Sequence, residues 1–299
     1  MKHRPKHILE YLLLRSIAAV LRAVPHAVAL LLGRGLAGLS WCILRRRLQR
    51  CDARVAAVFG ERFSRSERRR LLRRAWRNTC FGAVELLRAP KLDRRWIERH
   101  YHGNALRTLL DHVATGRGAV LALPHMGNWE LAGQLVCRMG VPLFAIARDQ
   151  KNPLTTAYLN RLRAAAGLDT VEIGDRLFAR VVRRLRGGEV LGILPDIRAK
   201  TGPVVVDYLG GRADIARGMA LFARSANVPI LPCILRREGW SRHHWNLGAP
   251  IEPDPALARD DDVLRMTQTV MTGIDAAVRE HPEQYFWFNK KWILRSTSA

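Results

Sequence analysis

An alternation of short apolar runs with helical patterns, which begins at Gly118, constrains the fold of this chain more than any other feature. Strands alternating with helices are typical of a mostly parallel sheet covered by helices on both faces. The sequence therefore predicts an α/β fold with a mostly parallel central sheet flanked by helices. The predicted strands are Ala119–Leu123, Leu143–Ala147, Thr170–Ile173, Val190–Leu194, Val204–Val206 and Val228–Leu235. The predicted helices are Trp129–Arg138, Leu154–Ala166, Arg176–Arg186, Ile215–Ser225 and Asp261–Glu280.

One histidine stands where the first of these strands passes into a helix. The apolar run ends at Pro124, the helical pattern begins near Asn128, and His125 and Glu130 lie five positions apart across this junction. A carboxylate can accept a hydrogen bond from one imidazole nitrogen and leave the other nitrogen free to take a proton. The spacing favours His125 as a general base oriented by Glu130. The alternative is a structural histidine, with Glu130 complementing the helix dipole.

Polar residues at other strand ends extend this candidate site, because sites in parallel sheets lie at the carboxyl ends of the strands. Arg148 follows one predicted strand and Asp196 ends another. The backbone N–H groups of Gly127 and Asn128 are candidates for an oxyanion hole. The sequence contains neither a phosphate-binding glycine loop nor a metal-ligand motif, so we expect no metal and no nucleotide cofactor.

The first 50 residues are expected to anchor the chain to a membrane. Ile8 to Leu44 is mostly apolar, it is interrupted by arginines, and Pro25 splits it in two. A spanning helix needs about 20 apolar residues, so two helices lying in the interface fit as well as one that spans. Buried core helices are a third interpretation. We assign residues 1–50 to the membrane-anchoring helices and 51–299 to the main domain.

The charge of the chain is strongly positive and concentrated near its start. The net charge is +24, and the first 100 residues contain 24 basic and 7 acidic residues. Such a field favours an anionic partner: acidic lipid, nucleic acid or an acidic protein. Ser64 and Glu67 form a capping box that opens a basic helix, but no nucleic-acid module signature accompanies it, so we expect no nucleic acid. The five cysteines have no pairing pattern, which indicates a reducing compartment.

Five segments resemble, in order, the motifs of the bacterial lipid A biosynthesis acyltransferases, the lauroyl/myristoyl transferase family. Leu121–Glu130 is similar to the H-x-x-x-x-D/E signature of this family. The other four are Arg148 followed by Asn152-Pro153; Pro195-Asp196 with Tyr208-Leu209-Gly210-Gly211-Arg212; Gly218 with Val228-Pro229-Ile230-Leu231-Pro232; and His281-Pro282-Glu283-Gln284-Tyr285-Phe286-Trp287. The chain departs from the family pattern at Leu209, where an aromatic residue is usual, and at Asn289, where histidine is frequent.

The resemblance implies a membrane-associated acyltransferase on the cytoplasmic face of the inner membrane. It would transfer a fatty acyl chain from acyl carrier protein, or from coenzyme A, to a hydroxyl of an anionic lipid A precursor. His125 and Glu130 would be catalytic. The expected substrate-binding residues are Arg148, Asn152, Asp196, Gly210 and Arg212; for Asp196 and Arg212 a purely structural role at the strand ends is the alternative.

Two other functions stay open at this point. One is another glycolipid acyltransferase, acting on a mannoside or an aminolipid with an acyl-CoA donor. The other is a non-catalytic basic protein that binds membranes or nucleic acid.

Overall fold

The computed structural model describes residues 4–147, 150–290 and 292–295. Its N-terminal part is helical: α1 (Pro5–Ala23), α2 (His26–Ile43), α3 (Arg45–Phe59) and α4 (Arg65–Arg88). The predicted capping box opens α4, since the Ser64 side chain accepts from the Glu67 N–H and the Glu67 carboxylate accepts from the Ser64 N–H. The proposed domain boundary near residue 50 stays a prediction.

Helices α1 and α2 each bury one side against the rest of the protein and expose the other. Ala18 and Leu21 of α1 and Ala29 and Leu30 of α2 pack with residues of α4 and of α8 (Pro153–Ala164). Apolar side chains on the opposite sides are exposed: Ile8, Leu9, Leu12, Leu13, Ile17, Val20, Val28, Leu31, Leu32, Leu36, Leu39 and Ile43. Among the described residues, α2 is the one helix long and apolar enough to cross a membrane.

A seven-stranded sheet forms the centre of the molecule, in the order β1-β9-β8-β2-β5-β3-β4. All neighbouring strands are parallel except β8 and β9, which form an antiparallel hairpin. Its strands are β1 (Tyr101–His102), β2 (Ala119–Ala122), β3 (Leu143–Ala147), β4 (Asp169–Glu172), β5 (Val190–Ile193), β8 (Ile230–Glu238) and β9 (Arg242–Leu247). A separate antiparallel pair consists of β6 (Val204–Tyr208) and β7 (Gly211–Ile215).

Helices cover both faces of the sheet, and the central strand β2 is buried along its whole length. Along β2, Val120 and Ala122 face one apolar core while Ala119 and Leu121 face the other, which is the period-two pattern of a strand. The first core includes α9 (Leu177–Arg186), α10 (Gly218–Ala226) and α11 (Arg259–Glu280). The second lies under α6 (Ala105–Ala114) and α7 (Trp129–Arg138). The remaining helix is α5 (Arg94–His100).

The predicted α/β class and mostly parallel sheet are confirmed, with three corrections. Residues 204–206 form a strand, but it pairs with β7 outside the main sheet. Ile215 ends β7 and does not begin a helix; α10 begins at Gly218. Strand β9 and the two-residue β1 were not predicted, because their polar residues lack the apolar runs that mark the central strands.

Candidate active site

The loop between β2 and α7 carries His125 to the carboxyl edge of the sheet. Gly127 in this loop has a φ of +61°, and a Cβ there would lie 2.8 Å from the Leu235 carbonyl oxygen, so both backbone and space require glycine. Asn128 caps α7, since its side-chain oxygen accepts from the Leu131 N–H at 3.2 Å. The loop therefore has a defined conformation with His125 at its start.

Asp196, not Glu130, is the carboxylate that holds His125. Its Oδ1 lies 2.8 Å from His125 Nδ1, and its Oδ2 accepts from the His125 backbone N–H at 2.9 Å. The two residues meet because β2 and β5 are parallel neighbours with Ala122 opposite Ile193, and each residue lies three positions beyond that pair. The Asp196 side chain is 1% exposed and the His125 side chain 16%.

The environment of His125 favours its protonated form. Burial alone would lower the pKa of His125, but the charge and hydrogen bond of Asp196, together with the charge of Glu130, hold it above its ordinary value. With Nδ1 donating to Asp196, Nε2 has no hydrogen-bond partner among the described residues. The ring can therefore accept a proton at Nε2 and keep the resulting charge stabilised.

Glu130 occupies a different position from the one that its spacing predicted. Its carboxylate accepts from Arg163 of α8, with Oε1 at 2.6 Å from Nη2 and Oε2 at 3.3 Å from Nε. Glu130 lies in the first turn of α7, so it reaches sideways to α8 and acts on His125 only through its charge. The predicted orienting hydrogen bond from His125 to Glu130 is thus wrong.

A buried tyrosine lies near Asp196. Tyr285 is 4% exposed, and burial together with the negative charge of Asp196 raises its pKa well above the ordinary value. Its hydroxyl therefore stays neutral at all physiological pH values. The sequence offered no signal that Tyr285 lies near Asp196, because the two residues are far apart along the chain.

His125 opens onto a cavity of about 780 Å³ whose walls are mostly apolar. The cavity runs from the loop into the core under α6 and α7. Its deeper walls include Leu109, Leu121, Leu123, Val136, Leu143, Leu168, Cys233, Leu235, Trp245 and Leu247. A mostly apolar volume of this kind suits a hydrocarbon chain better than a polar metabolite.

Cationic side chains stand where this cavity reaches the surface. Arg163, Arg198 and Lys200 line it together with His125 and Glu130. Arg163 is paired with Glu130, and Arg198 Nη2 lies 3.5 Å from Asp214 Oδ2. Lys200 is exposed. The mouth therefore presents positive charge beside an apolar interior.

Three of the predicted substrate-binding residues lie away from this cavity. Asn152 is the N-cap of α8, and its side-chain amide donates to the His7 carbonyl and to Glu10, so it ties α8 to α1. Gly210 and Arg212 belong to the β6–β7 hairpin, where they line a separate cleft and Arg212 pairs with Asp207.

Two further predictions concern the loop and the end of β3. The Gly127 N–H donates to the Gln284 carbonyl at 3.1 Å, so it is not available as an oxyanion donor; the Asn128 N–H stays a prediction. Arg148 lies outside the described residues. Sequence reasoning missed Arg163, whose only signal was its place in a basic helix, and it assigned Asp196 to the substrate and not to His125.

Comparison with known proteins places the chain in a family. The family model described as "Bacterial lipid A biosynthesis acyltransferase" matches residues 3–293. The chain belongs to this family. The resemblance of its five motifs is therefore confirmed over nearly the whole sequence, from α1 to the C-terminal aromatic residues.

Two similar proteins are named as acyltransferases. A phosphatidylinositol mannoside acyltransferase of Mycobacterium tuberculosis is 27% identical over 220 residues, which cover 70% of this chain and 66% of the relative. A lipid A biosynthesis acyltransferase of Haemophilus influenzae is 24% identical over 185 residues, covering 60% of this chain and 56% of the relative. The chain thus spans just under two thirds of the first relative and a little over half of the second.

Proposed function

We propose that the protein transfers a fatty acyl chain from an acyl thioester to a hydroxyl of a lipid A precursor at the cytoplasmic face of the inner membrane. The observation that carries the proposal is the His125–Asp196 pair at the end of a deep apolar cavity. Acyl transfer to an alcohol needs a base for the hydroxyl, a place for the acyl chain and exclusion of water. The pair and the cavity meet these needs at one point.

His125 is the general base in this scheme. Its Nε2 takes the proton of the acceptor hydroxyl while the oxygen attacks the thioester carbonyl carbon. A new C–O bond forms, the C–S bond breaks, and the thiolate takes the proton back from the imidazolium. Asp196 fixes the tautomer and stabilises the imidazolium, which is the role of the carboxylate in a catalytic triad.

Glu130 supports this base from a distance. Its charge raises the pKa of His125, and its pair with Arg163 holds α7 against α8. Because it is not bonded to His125, it contributes to electrostatics and to the shape of the mouth and not to tautomer selection. Its loss should therefore cost less activity than the loss of Asp196.

The cations of the mouth are proposed to hold the acceptor. Arg198 and Lys200 can engage the phosphates of a lipid A precursor, and Arg163 adds a third positive group. Arg148, for which the same role is predicted, follows β3 in the sequence. An acidic acyl carrier protein is the proposed donor, because its charge complements this basic protein; coenzyme A is the alternative.

The N-terminal helices are proposed to lie on the membrane surface and not to span it. In α2, Gly33 packs so closely on α4 that a Cβ would lie 2.8 Å from a methyl group of Val84. Spanning would break this contact and the contacts of α1 with α8. The exposed apolar sides of α1 and α2 would enter the interface, with nearby arginines facing anionic headgroups.

A second candidate acceptor is a phosphatidylinositol mannoside. The Mycobacterium tuberculosis relative with that name is 27% identical over 70% of this chain, against 24% over 60% for the lipid A relative. The chemistry at His125 would be the same. Supplying the purified protein with either acceptor and one donor separates the two, since acylated product should form with one of them.

The base is tested by His125→Ala with His112→Ala as a matched control. His112 is also partly buried, and its Nε2 lies 3.1 Å from the Gly118 carbonyl oxygen, but it lies on α6 away from the mouth. We expect His125→Ala to lower acyl transfer by at least about 10²-fold, and His112→Ala to leave it near normal. Near-normal transfer by a folded His125→Ala would refute the proposal. Salt-sensitive vesicle binding without turnover by the unmodified protein would indicate the non-catalytic alternative.

A further inference from the structure

Residues 284–286, which we call the strap, lie directly against the loop that carries His125. The Gly127 N–H donates to the Gln284 carbonyl at 3.1 Å, and the Phe286 N–H donates to the His125 carbonyl at 2.9 Å. Met126 and Tyr285 pair as an antiparallel bridge between these two bonds. The loop is outside the sheet ladder, so the strap supplies the main-chain hydrogen bonds that a neighbouring strand would otherwise supply.

The strap is itself fixed to the sheet through one side chain. Gln284 Oε1 accepts from the Arg237 N–H at 2.9 Å, and Gln284 Nε2 donates to the Arg237 carbonyl at 3.0 Å. Arg237 belongs to β8, the neighbour of β2 in the sheet. This amide therefore binds the strap to the strand beside the one that delivers His125.

The Arg237 side chain connects the strap to the other end of the loop, through Glu85. Its guanidinium forms a fork on Glu85, which is fully buried, with Nη1 at 2.8 Å from Oε1. The Asn128 side-chain amide donates to the other Glu85 oxygen at 2.8 Å. The loop is thus held at Gly127 by Gln284 and at Asn128 by Glu85, and Arg237 connects the two.

We propose that Gln284 is a positioning residue for His125, acting through this frame of Gln284, Arg237, Glu85 and Asn128. The inference rests on the proposed role of His125 as the base. The frame keeps the loop in the one conformation in which Asp196 can bind both the ring and the backbone of His125. Without it the loop moves, and the ring loses its fixed distance to Asp196.

A matched control exists because α11 contains a second glutamine with the same bonding pattern. Gln268 Oε1 accepts from the Asp207 N–H at 2.9 Å, and its Nε2 donates to the Asp207 carbonyl at 3.0 Å. Gln268 clamps β6, away from His125. Gln284→Met and Gln268→Met each remove this pair of bonds to a strand backbone at similar side-chain volume, and Gln268→Met also removes a bond to Thr272 Oγ1. A larger loss of activity in Gln284→Met therefore reports on position.

The experiment measures amide hydrogen exchange of residues 125–128, the kinetics of acyl transfer and its pH profile. We expect Gln284→Met to speed exchange at least tenfold and to lower kcat at least tenfold, with KM changed less than twofold. The acidic limb of the profile should move to lower pH, since His125 loses part of the contact that raises its pKa. Gln268→Met should lower the melting temperature at most, with exchange in the loop and kcat unchanged.

Asn128→Ser provides a second variant should Gln284→Met not fold. Serine still caps α7 but cannot reach Glu85, so we expect faster exchange in the loop and a lower kcat here also. Wild-type exchange and kcat in the folded variants would overturn the inference, as would equal losses in Gln284→Met and Gln268→Met. Hydrogen exchange can be measured without substrate, so it tests whether the strap positions the loop even if His125 is not the base. The role of His125 as the base is tested separately by His125→Ala.

Discussion

Substituting Asp196 by asparagine tests the site most sharply, because the two oxygens of Asp196 have two different donors to satisfy. Oδ1 faces His125 Nδ1 and Oδ2 accepts from the His125 backbone N–H. Asparagine has one oxygen and one NH₂ group. Whichever way the amide is turned, its NH₂ faces one of these nitrogens. Either the backbone bond is lost, or Nδ1 becomes an acceptor and the proton moves to Nε2.

Both outcomes impair His125 as a general base, and the resulting loss of rate can be bounded. A proton on Nε2 removes the acceptor for the substrate hydroxyl, so the general-base contribution of roughly 10²–10⁴ in rate is lost. Removal of the charge also lowers the pKa of His125 in the folded protein. Because neutral histidine is the active form, the acidic limb of the rate profile moves to lower pH while the plateau falls.

The same change alters the dependence of stability on pH. The raised pKa of His125 contributes stability that is full below about pH 6.5, the ordinary value, and is lost as pH rises through the higher value of the folded protein. Asp196→Asn should weaken this dependence, because only the charge of Glu130 then opposes the effect of burial on the pKa of His125. Melting temperatures measured across that window test the electrostatic part of the argument without any substrate.

The assay is the pH–rate profile of acyl transfer, with Asp262→Asn as the control. Asp262 is also fully buried and binds two arginines, Arg224 and Arg265, but it lies on α11. We expect a rate loss of at least about 10²-fold for Asp196→Asn, against less than tenfold for Asp262→Asn and for Glu130→Gln. The reasoning is refuted if Asp196→Asn keeps a normal rate while Glu130→Gln loses as much as His125→Ala.

Three further predictions concern the core, the cavity and the membrane surface. Glu85→Gln leaves Arg237 buried without a counter-charge and should lower the free energy of unfolding by about 3–5 kcal/mol in denaturant titrations above pH 5, where Glu85 is ionised. Gly133→Leu adds a side chain to a wall of the cavity and should shift the preferred acyl length downward in competition assays with mixed thioesters. Replacing Leu9 and Leu39, each 69% exposed, by aspartate should weaken sedimentation with anionic vesicles but leave the melting temperature unchanged.

The central strands were predictable because their apolar runs are dictated by burial on both faces. The placement of His125 at a strand end followed from the same pattern. The order of the strands did not, and the partner of His125 depends on that order. Asp196 reaches it only because β5, and not β3, lies beside β2. A spacing of five residues pointed to Glu130 instead, since it records neighbours along the chain and not across the sheet.

The misplaced substrate residues have a related cause. Asn152 was placed near the acceptor by family resemblance, but its Asn-Pro dipeptide has a purely local explanation as a helix start with proline in the first turn. Gly210 and Arg212 lie in a hairpin whose strand β6 was expected within the main sheet. Once β6 and β7 pair with each other, the hairpin turns these residues away from the mouth.

The position of Glu130 nevertheless shows how a carboxylate five residues after His125 can affect the base without a hydrogen bond to it. In the first turn of α7 it is close enough to raise the pKa of His125, yet its oxygens face α8 and bind Arg163. The opposite end of α8 is tied through Asn152 to α1, one of the two helices with exposed apolar sides. A contiguous set of packed elements therefore connects the proposed membrane surface to the base.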